Sequence, residues 1–174
     1  MTIIDIILIS IGLACDAFVA SITLGLESPK VPIKVPITTS VTFSLFQVIM
    51  PILGYLVAYN FNPSITILTK FISFIILSLI GINMLFNKEE TKVNLTNILV
   101  LGFATSLDAF AVGLSLAFLE VNLLIALISI GLITFLMCFI GPYLGYYFGQ
   151  KILGKPEIVG GLILIVIGLK ILIF

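Results

Sequence analysis

The sequence has no histidine, and because its eight basic residues are all lysines it has no arginine either. The first absence excludes an imidazole metal cage, and the second removes the guanidinium contacts of a typical nucleic-acid footprint. Charge of either sign is scarce: 9% of the 174 residues are charged and the formal net charge is zero. Set against 61% hydrophobic residues and a mean hydropathy of +1.37, this excludes a water-soluble domain, so the bilayer must be the solvent. Cysteine is nearly absent. Cys15 and Cys138 both lie in apolar runs, where a thiol behaves as a small hydrophobe, so no disulfide is expected. The amino terminus lacks the positive region of a signal peptide, so the first apolar run is expected to remain in the mature protein. No nucleophile and base pair, phosphate loop or nucleotide-binding segment is recognisable, so neither an enzyme nor ATP-driven transport is expected, and no cofactor is called for.

What the chain does have is length of apolar sequence. Six such segments follow one another, at about 6–26, 36–58, 65–86, 97–119, 122–148 and 158–174. All but the last hold the roughly twenty residues that cross a hydrocarbon core of about 30 Å, and lipid forbids unpaired backbone, so all-α membrane spans are expected. Lys30, Lys34, Lys88, Lys92, Lys151 and Lys155 fall in the first, third and fifth loops, leaving Lys70 and Lys170 for the other side. By the positive-inside rule the odd loops are then cytoplasmic and both termini face outward.

Two stretches are close to copies: Cys15-Asp16-Ala17-Phe18-Val19-Ala20 and Leu107-Asp108-Ala109-Phe110-Ala111-Val112. The aspartates are 92 residues apart (108 − 16), and Pro51 and Gly54 recur as Pro142 and Gly145 at an offset of 91. A unit with an odd number of spans enters the membrane the opposite way when duplicated. The expected architecture is therefore six helices in two inverted three-helix repeats, 1–86 and 97–174, joined by a cytoplasmic linker at 87–96. Gly141, Gly145 and Gly149, four residues apart, further predict a close helix crossing in the fifth segment.

A lone carboxylate within an apolar span costs several kcal/mol and marks a functional site. Asp16 and Asp108 are thus the primary candidates, and duplication would bring them to the midplane junction of the repeats. Small and polar residues share their helix faces: Thr23 and Ser115 each follow an aspartate by seven residues, or two turns. Either hydroxyl could give oxygen to a shared site or simply bond back to its own helix. Gln47, an amide in the apolar second segment, either joins that site or makes an interhelical hydrogen bond. Oxygen-rich donor sets without histidine favour Mg, Ca or Mn, and two carboxylates neutralise one divalent ion. Asp16, Asp108, Thr23, Ser115 and Gln47 are accordingly the candidate metal ligands, with protons expected to compete for the carboxylates.

The segments Ala14-Cys15-Asp16-Ala17-Phe18 and Ser106-Leu107-Asp108-Ala109-Phe110, the stretch from Phe46 to Gly54, and the ending Gly160-Gly161-Leu162 to Gly168-Leu169-Lys170 together resemble the MntP-type manganese efflux pumps of bacteria and archaea. The resemblance implies a multi-pass plasma-membrane exporter for which Mn2+ is substrate, with Asp16 and Asp108 at the family's membrane-embedded acidic positions. It also implies an acidic residue in some members where this chain has Gln47. An exporter of small organic solutes, or a sporulation or assembly membrane protein of the same fold, stays open, as does a homo-oligomer.

Overall fold

In the computed structural model the chain is described over residues 3–26, 30–58, 94–117 and 121–151, with single positions within 74–82 and 162–169. The described helices are α1 (Ile3–Leu26), α2 (Lys34–Ala58), α3 (Leu95–Thr105), α4 (Leu107–Leu116) and α5 (Leu123–Lys151). Taking α3 and α4 together as one span, four are long and apolar enough to cross a membrane. The third and sixth apolar segments lie largely outside the described residues. Those positions that are described there, such as Phe74, Ser78 and Ile82, or Leu162, Ile163 and Val166, are helical. Lys30 and Lys34 are exposed beside the start of α2, and the side chains of the other loop lysines lie outside the described residues.

Local chemistry accounts for the helix starts. Pro36 falls in the first turn of α2, where its missing N–H removes no intrahelical bond. At α5 the Asn122 Oδ1 accepts hydrogen bonds from the N–H groups of Leu124 and Ile125, at 3.1 and 3.3 Å, so an asparagine cap satisfies two orphan donors. Once begun, the helices are aliphatic on their outer faces. Leu124, Ile128, Leu132, Leu136 and Ile140 form an exposed stripe at four-residue steps along α5, and Val41, Leu45, Ile49 and Leu53 do the same on α2. So much contiguous apolar surface is incompatible with water and suits lipid.

Inside, the bundle is built in three layers. The first joins Ala17 and Ala20 of α1, Phe43 of α2, Ala104 of α3 and Cys138 of α5, with Ile163 packed against it. The middle layer joins Leu13, Met50, Ala109 and Ile130, and the third joins Ile6, Leu116 and Ala126. Residue numbers fall through the layers on α1 and α5 and rise on α3–α4, so α1 and α5 run parallel to each other and antiparallel to α3–α4. On α2, Phe46 meets Phe103 edge to face and Pro51 meets Gly113, which makes α2 parallel to α3–α4.

Two backbone crossings hold this arrangement. A Cβ at Gly25 would overlap the Pro142 carbonyl, and one at Gly145 would overlap the Ile22 carbonyl, so α1 and α5 touch main chain to main chain. Likewise a Cβ at Gly113 would overlap the Pro51 carbonyl, and one at Gly54 the Phe110 carbonyl, where α4 crosses α2. The crossings correspond. Pro51 and Pro142, and Gly54 and Gly145, are the sequence pairs 91 residues apart, while Ile22 and Leu114, which flank the two contacts, are 92 apart. Without side chains in the way, helices approach closely enough for dispersion to replace the hydrophobic drive that lipid cannot supply. The glycine spacing at Gly141 and Gly145 therefore marks a real crossing, its partner being Ser21 to Gly25.

One element differs from expectation. The fourth segment is not a single uninterrupted helix: it breaks at Ser106, with φ −97° and ψ 0°. Here the Ser106 N–H and Oγ both donate to the Phe103 carbonyl, three residues back, at 3.2 and 2.9 Å. The ladder resumes with the Phe110 N–H donating to Ser106. Thr105 donates its hydroxyl to the carbonyls of Leu101 and Gly102, at 3.0 and 3.2 Å. Adjacent hydroxyls thus compete for the carbonyls that a continuous helix would need.

Candidate metal site

Polar side chains collect at one level of the bundle, between the first and middle layers. Asp16 stands between Leu13 and Ala17 on α1, and Gln47 between Phe43 and Met50 on α2. Thr105, Ser106 and Asp108 stand between Ala104 and Ala109, and Thr134 between Ile130 and Cys138 on α5. Each described span gives at least one polar group to this layer. Two apolar layers bound it, so charges within it act in a low dielectric, where oxygen ligands and a cation attract each other far more strongly than in water.

The two aspartates are placed differently. Asp16 is 8% exposed, on an unbroken helix. Asp108 is half-buried in the first turn of α4, where its Oδ1 accepts the Ala109 N–H at 2.7 Å. A helix N-terminus carries orphan N–H groups that a carboxylate oxygen can satisfy, as this one does.

Gln47, 1% exposed, reaches from α2 to α1: its Nε2 donates to the Leu13 carbonyl at 3.1 Å, one turn before Asp16. The interhelical hydrogen bond is therefore the reading of its sequence position that the geometry shows. The amide nitrogen makes the interhelical bond, and Oε1, buried with no hydrogen-bond partner among the described residues, is left as a bare acceptor within the layer. An unpaired buried oxygen costs about 1–3 kcal/mol, and a cation would relieve it.

Thr23 and Ser115 are elsewhere. Thr23 donates to Ala20 at 2.7 Å and Ser115 to Ala111 at 3.2 Å, and Ser115 is exposed. Because α1 and α4 are antiparallel, seven residues after each aspartate leads to opposite ends: Thr23 adjoins Leu24 of the first layer and Ser115 adjoins Leu116 of the third. The structure brings Asp16, Asp108 and Gln47 to one depth and sets these hydroxyls about 10 Å above and below it along the helix axes.

Thr134 was not singled out by sequence. A lone threonine in an apolar run reads like any helix hydroxyl, yet one signal pointed to it: Gln47 and Cys138 are 91 residues apart, the repeat offset, and Thr134 lies one turn before Cys138. Among the described residues no three His, Cys, Asp or Glu side chains converge. Cys15 and Cys138 are free thiols.

A family model described as "Putative manganese efflux pump" matches residues 30–172. The chain belongs to that family. It is 42% identical to "Putative manganese efflux pump MntP" of Acetivibrio thermocellus, over 99% of this chain and 91% of that one. Its identity to the protein of the same name from Desulfitobacterium hafniense is 40%, over 97% and 93%. An archaeal member, from Methanothermobacter thermautotrophicus, is 38% identical over 99% and 97%. No solved structure matches the chain. The apolar helices make this MntP family member a membrane protein.

Proposed function

We propose that the protein exports Mn2+ across the plasma membrane by secondary-active transport, binding the cation in the polar layer between Asp16 and Asp108, with the Gln47 amide oxygen as a neutral ligand. The observation that carries this reading is the layer itself. Two acidic side chains and a partnerless buried oxygen occupy one depth of an otherwise aliphatic bundle. Two carboxylates cancel the charge of one divalent ion, and hard oxygen donors suit manganese. The printed names of the relatives point to the same substrate. Thr23 and Ser115, each bonded back to its own helix two turns away, then do not join the site.

The architecture fits two inverted three-helix repeats. Since α2 and α3–α4 are parallel, the chain between them returns to its starting side, and the third apolar segment, 65–86, has the length to do so. The two corresponding glycine crossings each join one helix of the first repeat to one of the second, as a pseudo-twofold axis in the membrane plane requires. Lys30 and Lys34 put the first-layer end in the cytoplasm. A discontinuous helix beside the midplane, broken at Ser106, is a feature transporters use to hold ions.

Metal binding needs deprotonated carboxylates, so protons and Mn2+ compete. Affinity falls as the pH falls, and an acidic outer face hastens release there. The decisive experiment loads inverted vesicles containing the full chain: energised Mn2+ uptake, lost in Asp16→Asn, is expected, and absence of uptake at normal expression removes the reading. Orientation is checked separately in a background lacking Cys15 and Cys138. Asn122→Cys should react with an impermeant thiol reagent added outside and Lys30→Cys should not, and the reverse pattern overturns the direction of transport.

A further inference from the structure

We propose that Thr134 is a further cation ligand, its hydroxyl oxygen completing the shell of the polar layer from the α5 side. The inference rests on the cation binding in that layer and names a residue that neither the repeated motif nor the charge pattern shows.

Thr134 is fully buried, at 0% exposure, and its Oγ has no hydrogen-bond partner among the described residues. Most buried hydroxyls among the described residues bond back to their own helix. Ser10, Ser21, Thr23 and Thr105 are buried too, and each donates its hydroxyl to a carbonyl three or four residues back, at 2.7–3.0 Å. A threonine in a helix can usually choose the rotamer that does this. Thr134 instead lies on the inward stripe of Ile130 and Cys138, at the depth of Asp16, Gln47 and Asp108, and keeps its oxygen unpaired. Thr39 Oγ and Ser78 Oγ are also unpaired among the described residues, but Thr39 lies one turn beyond Phe43, outside the layer, and Ser78 belongs to the third apolar segment.

Coordination chemistry supplies the reason. Two carboxylates and one amide offer fewer oxygens than the six or so a small hard cation takes, and a third carboxylate would leave a net negative charge on the loaded site. A hydroxyl adds an oxygen without charge. Oxygen at this position also keeps the shell hard, so Thr134 sets selectivity as well as affinity.

The test uses the purified full chain in a background lacking Cys15 and Cys138, with binding of Mn2+ and of Cd2+ measured by calorimetry. Thr134→Val, close in volume, is expected to weaken Mn2+ binding about tenfold, the size of one hydrogen bond to a charged partner. Thr134→Ser should stay near the parent. Thr134→Cys should bind Cd2+ more tightly and Mn2+ more weakly, because a thiolate is a soft donor, an outcome a purely structural threonine would not give. If Thr134→Val matches the parent and Thr134→Cys leaves the Cd2+ to Mn2+ preference unchanged, the assignment is overturned while the layer stands. If the parent itself binds no Mn2+, the layer reading falls and the assignment falls with it. Should the valine variant not be recovered, the serine and cysteine pair decides alone.

Discussion

The two copies of the aspartate motif differ in the residues just before them. Ahead of Asp16 stand Leu13 and Ala14, and at the equivalent positions ahead of Asp108 stand Thr105 and Ser106. In the first copy the helix runs unbroken and the Leu13 carbonyl is tied to Gln47. In the second, the hydroxyls take up carbonyls of their own helix, the ladder breaks, and Asp108 begins a new helix. One carboxylate is thus enclosed on a helix tied to its neighbour one turn earlier, the other partly open and set on a helix terminus. The motifs are nearly the same in chemistry, but their surroundings are not.

The largest effect breaks both halves of the comparison together. Asp16→Asn and Asp108→Asn should each lower Mn2+ export about 100-fold or more, beyond what losing an outer-shell partner does, with the protein still in the membrane. Metal content of a manganese-sensitive host measures it, and full resistance in either variant would end the equivalence of the two carboxylates. The glutamates sharpen the contrast. Asp108→Glu, beside the break, should retain measurable export, whereas Asp16→Glu, enclosed between packed layers, should not.

Next in size come the glycine crossings. Gly25→Val and Gly113→Val each drive a side chain into a proline carbonyl on the facing helix, which overpacking places at about 1–3 kcal/mol or more. Thermal unfolding in detergent should drop for both, by similar amounts if the crossings are equivalent. Gly12→Ala is the control. A Cβ there meets no described neighbour within 4 Å, so it should be neutral or slightly stabilising. Unequal losses at Gly25 and Gly113 would argue against the pseudo-twofold relation.

Much of this was legible beforehand because lipid narrows the choices. Apolar length fixed where α1, α2 and α5 run to within a few residues, and the four-residue glycine step announced a crossing at Gly141 and Gly145 before its partner was known. The aspartates stood out because a charge within an apolar span is costly and rare. What could not be read was the behaviour of hydroxyls. Thr23, Ser106 and Thr134 look alike in sequence, yet the first two bond back three residues, one within an unbroken helix and one at a break, and the third has no partner among the described residues. Which occurs depends on neighbours in space. For the same reason Gln47 could be read as either a tie or a ligand, whereas the structure shows its nitrogen making the tie and its oxygen without a partner among the described residues.

The smallest predicted effect isolates the break itself. In Ser106→Ala the Phe103 carbonyl loses one of its two donors from residue 106, and the remaining N–H can return to Gly102, the partner a continuous helix would give it. The ladder then closes through Leu107 to Ala109, and Asp108 no longer sits on a free helix N-terminus. A helix terminus stabilises a nearby carboxylate by about 0.3–1 kcal/mol, so Mn2+ affinity should fall by about twofold to fivefold. Amide exchange at Leu107 to Ala109 should slow in the same variant, which separates a closed helix from general loosening. Ala14→Ser places the missing hydroxyl in the first copy as the reciprocal change. With Leu13 at the position of Thr105, and its carbonyl held by Gln47, that single hydroxyl should leave α1 continuous and Mn2+ affinity unchanged. If Ala14→Ser broke α1, or Ser106→Ala left both exchange and affinity untouched, the difference between the two copies would have to lie somewhere other than in these hydroxyls.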